Sequence, residues 1–218
     1  MPVIVVPYSP EWPAQFQRIA AELRPALTGV PVIAIEHVGS TSVPGLAAKP
    51  IIDIDILVDE TNLDAALAAV QTIGYKHVGD MGVQGRHANK HLATHPVEPD
   101  ALETAPRPAL GPGQESCRRN LYVCVDGCLA VRNHLGVRDV LRANPDLRDE
   151  YAATKLRLAS DPTMEIPEYL EGKSDILLRV LAMTGNITDE EKAEIAAINK
   201  GPTASARLAS IASQPGSQ

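Results

Sequence analysis

The segment Ile51–Val58, IIDIDILV, constrains the fold of this chain more than any other, because every residue in it is apolar except Asp53 and Asp55. A short apolar run of this kind, rich in β-branched residues, reads as a strand of a sheet interior. Strand side chains alternate between faces, so the two carboxylates point one way and Ile54 the other. Two like charges side by side on a half-buried strand repel each other and lose hydration. One is then protonated unless a cation sits between them. Hard oxygen ligands on one face suit Mg²⁺ or Mn²⁺. The alternative is that both acids lie at a wet strand end and keep a sheet edge soluble.

A loop, Gly39 to Lys49, leads into this strand. Small residues such as Gly39, Ser40, Thr41 and Ser42 let backbone N–H groups and hydroxyls approach an anion. A Gly-Ser pair alone marks any tight turn, but here it precedes the paired acids by only twelve residues. Before the loop, Trp12, Phe16, Ile19, Leu23 and Leu27 recur at helical spacing, and Val32–Val38 reads as a strand. After Asp59, Leu63, Ala66, Leu67, Val70 and Ile73 predict a second amphipathic helix closed by Gly74. A strand from Tyr75 to Val78 follows.

Arg86, His87, Lys90 and His91 bring local positive charge. His87, His91 and His95 would share one face of a helix, as zinc ligands do. The segment lacks a helical apolar face and reads better as a strand. Residues 96–116 are rich in Pro, Gly and Ala and read as a long surface loop. Arg118–Val125 is a further strand. Three helices are expected over Val131 to Arg142, Pro145 to Leu158 and Pro167 to Thr184, separated by Asn144-Pro145 and Asp161-Pro162. A short capped helix begins after Ile187, and a flexible tail is expected from Gly201.

The run HVGSTSVPGLAAKPIIDIDI, His37 to Ile56, resembles the signature of the GrpB family. The similarity extends to the opening around Tyr8, Trp12, Pro13 and Phe16 and to residues 121–180. That family is grouped with the nucleotidyltransferase fold of polymerase-beta-like enzymes. The resemblance implies an α/β (α+β) fold, with a small mixed sheet flanked by helices and a helical C-terminal part. The corresponding division is a core over 1–130, a helical part over 131–185, and a short helix with a tail over 186–218. It also implies that Gly39, Ser40, Thr41, Ser42 and Lys49 hold a nucleoside triphosphate while Asp53 and Asp55 bind Mg²⁺ or Mn²⁺. A third acid comes from a later strand in that fold. Asp126 is the best candidate here and Glu36 a weaker one. Arg86, Arg132, Arg138 and Lys173 are candidates for phosphate or substrate contacts.

Composition narrows the partners. A formal net charge of -7 disfavours broad contact with a nucleic-acid backbone. Three cysteines make no disulfide framework, and the N-terminus reads as neither signal peptide nor membrane span. A cytoplasmic protein is expected. The leading expectation is metal-dependent nucleotidyl transfer to an unknown small molecule. A non-catalytic nucleotide- or metabolite-binding module and a two-metal phosphoester hydrolase are the alternatives.

Overall fold

The computed structural model describes residues 3–91 and 118–200. The long loop at 96–116, His95, Cys117 and the tail from Gly201 lie outside the described residues. Helix α1, Trp12–Ala26, carries the expected stripe: Trp12, Phe16, Ile19, Leu23 and Leu27 are all buried. Pro13 is tolerated because the first helical turn needs no N–H partner there. Strands β1, Val32–Val38, and β2, Ile51–Val58, match the expected spans. Helix α2, Leu63–Gln71, buries Ala66, Leu67 and Val70. Strands β3, Tyr75–His77, β4, Arg86–His91, and β5, Arg118–Val125, complete one sheet in the order β1-β2-β5-β4-β3. The β2–β5 pair is parallel and the other three pairs are antiparallel, so the sheet is mixed.

The two faces of the sheet are covered differently. On one, α1 and α2 pack over Ile52, Ile54, Ile56, Val58, Leu121 and Val123 in an aliphatic core. On the other lies helix α3, Leu129–Ala143, whose Val131 meets Leu57 and Cys124. Helices α4, Pro145–Ala159, and α6, Ser174–Ala182, add to this layer. They enclose Val43 and Leu46 of the loop between β1 and β2. That loop is thereby held by the C-terminal helices as well as by its own strands.

The helix expected over 167–184 is two: α5, Ile166–Gly172, and α6, divided at Lys173. Lys173 ends one helix and starts the next with φ -99° and ψ 0°. Just before it, Gly172 packs closely on Leu158 of α4, where an added Cβ would lie only 2.7 Å away. Helix α7, Asp189–Lys200, opens with the expected capping box. Thr188 N–H donates to Glu191 Oε2 at 2.9 Å, and Glu191 N–H donates to Thr188 Oγ1 at 3.2 Å. Among the described residues, no helix is long and apolar enough to cross a membrane.

Candidate functional site

The β2 register decides which side chains surround the acids. Asp55 lies opposite Glu36 on β1 and Tyr122 on β5, and Asp53 lies opposite Val38 and Asn120. All of these face the α3 side of the sheet. Asp55 is fully buried. Its Oδ2 accepts a hydrogen bond from His134 Nδ1 at 2.7 Å, and its Oδ1 meets no donor among the described residues. Asp53 Oδ1 accepts from Asn120 Nδ2 at 2.8 Å. Burial raises the Asp53 pKa, while Asn120 and His134 oppose the shift and Asp55 adds to it.

Gly39 is what lets the loop close on this strand. Its φ is +68°, and a Cβ there would lie 2.2 Å from Asp53 Oδ2. No other residue type tolerates both the backbone conformation and the contact. Beyond it, Ser42 Oγ donates to Gly39 O at 2.6 Å. His37 Nε2 donates to Thr41 Oγ1 at 3.1 Å, and Thr41 donates in turn to Ile51 O at 3.0 Å. Arg142 holds Ser42 O from the α3 side at 2.7 Å. Thr41 and Ser42, both buried, therefore spend their hydroxyls on the shape of the loop. Ser40 is different: its Oγ accepts from Lys155 Nζ at 3.0 Å and faces open space.

That space is a cavity of about 460 Å³ at the N-terminal halves of β2 and β5, lined by Ser40, Thr41, Asp53, Asn120 and Tyr122. Seven basic residues also line it: Lys49, Arg86, Lys90, Arg118, Arg119, Lys155 and Lys173, against Asp53 as the single acid. Arg119 is already paired with Glu22 at 2.7 Å. Arg86 lies over the Tyr122 ring, 4.9 Å from its centroid, and its Nε meets no acceptor among the described residues. Lys155 is 2% exposed, and no carboxylate among the described residues pairs with it. Its ammonium lies 4.4 Å from the Tyr151 ring centroid. Burial, with Lys173 nearby, lowers the Lys155 pKa to about 6. Burial and Lys49 lower that of Lys173 to about 8, although Asp53 opposes the shift. A cavity in which burial and like charge hold lysines below their ordinary pKa is electrostatically prepared for an anion, whose charge would restore their protonation.

A second cavity, of about 240 Å³, meets the first at Ser40, Asp53 and Lys173. His134 and Asn133 of α3 line it together with aliphatic side chains from α3, α6 and α7.

Several expected contributors lie elsewhere. Asp126 is exposed just beyond β5, its N–H bonded to Val58 O at 2.9 Å. It stands four residues past Tyr122, the partner of Asp55, which is about 13 Å along the strand. The position beside Asp53 is occupied by Asn120 instead of a third carboxylate. Glu36 stands beside Asp55 but is paired with Arg138 at 2.7 Å. Arg138 also donates to His37 O at 3.1 Å, so it braces β1 while bordering the second cavity. Arg132 ties α3 to Glu191 and Asn186 and lines neither cavity. His87 bonds His77 at 3.2 Å, and His91 packs against Tyr75. The described residues hold no group of three or more His, Cys, Asp or Glu side chains able to share a metal.

In the sequence, His134 and Lys155 are polar residues at positions similar to the family's but carry no assigned role, and Asn120 carries none either. The signal for Lys155 was present: it follows Leu147 and Tyr151 at intervals of four on a buried helical stripe, where a lysine demands an explanation. His134, Arg138 and Arg142 likewise recur every four residues along the sheet-facing side of α3. Asn120 carried no such signal.

The fold and site define an α/β protein in which a glycine-serine loop and Asp53 border a strongly basic cavity, with Asp55 buried behind it. The GrpB protein family model matches residues 2–183, and the chain belongs to the GrpB family. A UPF0157 protein of Halalkalibacterium halodurans is 34% identical over 180 residues, covering 82% of this chain and 80% of that protein. A protein named dephospho-CoA kinase from Mycolicibacterium paratuberculosis is 34% identical over 190 residues, or 79% of this chain. The match spans only 43% of that protein. The crystal structure of the conserved protein GrpB from Enterococcus faecalis shares the fold with a TM-score of 0.62 at 30% identity. It is covered over 98% of its length by 82% of this chain.

Proposed function

We propose that this chain binds a nucleoside triphosphate with one Mg²⁺ or Mn²⁺ in the basic cavity and transfers the nucleotidyl group to a small acceptor. The observation that carries this reading is the charge of the cavity, seven basic residues around one acid in a chain of net charge -7. A triphosphate supplies the negative charge that Lys155, Lys173 and the unpaired Arg86 Nε lack. Ser40 borders the phosphate end, while Thr41 and Ser42 keep the loop in shape.

The acid pair fits one hard divalent ion. Asp55 Oδ1 is buried without a donor and Asp53 lies two residues away on the same face. Mg²⁺ commonly binds through one or two carboxylates, with water and phosphate oxygens completing its shell. Such an ion would supply charge neutralisation at the phosphates. The protein's own groups define the rest. In the transfer, the acceptor oxygen bonds to the α-phosphorus and the bond from that phosphorus to the pyrophosphate oxygen breaks. The lysines neutralise the departing pyrophosphate. His134 is fixed by Asp55 through Nδ1, which leaves Nε2 to take the acceptor's proton.

A second reading, nucleotide binding without transfer, is favoured by one observation: Asn120 stands beside Asp53 where a third carboxylate would complete the acid set. Thermal shift with each nucleoside triphosphate, with and without Mg²⁺ or Mn²⁺, tests the site itself. The expected result is a metal-dependent rise in Tm that Asp53→Asn removes. No rise under any condition would sink both readings. Analysis of products then separates transfer, which releases pyrophosphate only when an acceptor is present, from hydrolysis and from binding alone.

A further inference from the structure

The second cavity has a chemistry unlike the first. Val43, Val137, Leu141, Leu177, Leu181 and Ile195 form an aliphatic wall on part of it. Its charged border is small and balanced. Asp53 and Lys173 carry opposite charges, and Arg138 is already paired with Glu36 and Asp139. Besides Tyr151 and Ser40, whose Oγ already accepts from Lys155, two neutral polar groups remain. The Asn133 carboxamide bonds to no other described residue, and His134 offers Nε2 because Nδ1 is engaged by Asp55. At about 240 Å³ the space is below the usual range for drug-sized ligands, about 300–1,000 Å³.

We propose that this cavity is a binding site for a small, uncharged hydroxyl compound with a compact aliphatic body. The body would lie against the aliphatic wall, and the hydroxyl would reach Asn133 and His134 near Asp53. An ionised ligand gains little here. A carboxylate would meet Asp53, an ammonium would meet Lys173 and Arg138, and either would lose its hydration against six aliphatic side chains. The two cavities touch at Ser40, Asp53 and Lys173. A compound in the second cavity is therefore presented to whatever phosphate occupies the first. Its role as the acceptor rests on the nucleotidyl-transfer reading above, whereas its binding does not.

Methyl NMR of the full chain titrated with cyclohexanol provides the test, with cyclohexanecarboxylate and cyclohexylammonium as charged counterparts. Cyclohexanol is expected to shift the methyl resonances of Val137, Leu177 and Ile195, and the charged pair to leave them in place. Val137→Phe, which fills the cavity, should abolish these shifts. Asn133→Leu, which keeps the volume but removes the amide, should weaken binding and guards against a Val137→Phe variant that fails to fold. Absence of cyclohexanol shifts, or equal binding by a charged counterpart, overturns the proposal. Tripolyphosphate with Mg²⁺, titrated into the same protein, reports the basic cavity separately. Loss of its binding alone would defeat the nucleotide reading and leave the alcohol site standing. Retention of its binding without cyclohexanol shifts would do the reverse.

Discussion

Ile54 and Asp55 are consecutive residues with no exposed surface, and they show two opposite uses of burial. Ile54 faces α1 and α2 in a core where each enclosed methylene lowers the free energy of the folded chain. Asp55 faces α3, keeps one hydrogen bond to His134, and leaves an oxygen without a donor. Its side of the sheet also encloses Lys155 with no acid beside it. One face is built for stability, and the other holds charges at a cost that a ligand can offset. A buried charge without a partner calls for such an explanation.

The largest effect that could break this contrast is on the aliphatic face. Ile54→Ala should cost about 4 kcal/mol, as deletion of buried methylene groups commonly does, measured by urea denaturation. The fraction that remains folded should still show the metal- and nucleotide-dependent Tm rise. A cost below about 1 kcal/mol would mean that this face is not the stabilising one.

Acidification probes the same face through His37, which stacks on Phe16 at 4.8 Å. Burial first, then Arg142 and Arg138, lowers its pKa from 6.5 to about 4. The unfolded chain therefore takes up the proton at a higher pH than the folded one. The stabilising contribution is complete above about pH 6.5 and is lost as pH falls toward 4, amounting to about 3 kcal/mol. Denaturation across that window should show a steeper loss in the native protein than in His37→Gln, and parallel curves would contradict the assignment.

Gly39→Ala tests how tightly the loop is set against the acid face. The added Cβ meets the Asp53 carboxylate in a backbone conformation that L residues rarely adopt, so a loss of about 2 kcal/mol is expected. Triphosphate binding should fall with it, as read by the nucleotide-dependent change in Tm. A variant of native stability and affinity would show that the approach of Gly39 to Asp53 is unimportant.

The smallest effect has the opposite sign. Lys155→Met removes an enclosed amine whose protonation burial opposes and should raise stability by about 1–2 kcal/mol in the absence of ligand. The Tm rise caused by triphosphate should shrink. Destabilisation with unchanged triphosphate binding would place Lys155 in the supporting structure instead.

Much of the fold was legible because its periodic patterns are local. The stripes of α1 and α2 and the apolar run of β2 follow from the spacing of their own residues, and β1, β2 and β5 match the expected spans. The division at Lys173 was not legible, because the buried stripe of Ile176, Val180 and Leu181 lies wholly within α6 and says nothing of where the helix begins. The loop and acid pair were visible as neighbours in the chain. The separate tasks of Ser40, Thr41 and Ser42 were not, since a hydroxyl's partner depends on which backbone atoms come within about 3 Å.

The sequence by itself determined that Asp53 and Asp55 share one face of a strand entered from a glycine-serine loop. Alternation along a single strand is enough for that. Only the tertiary structure decided what stands around them. The parallel register of β5 places Asn120 beside Asp53, and Tyr122, not Asp126, beside Asp55. The docking of α3 and α4 brings His134 and Lys155 into the same site. These placements depend on strand pairing and helix packing between residues far apart in the chain, which no local pattern encodes.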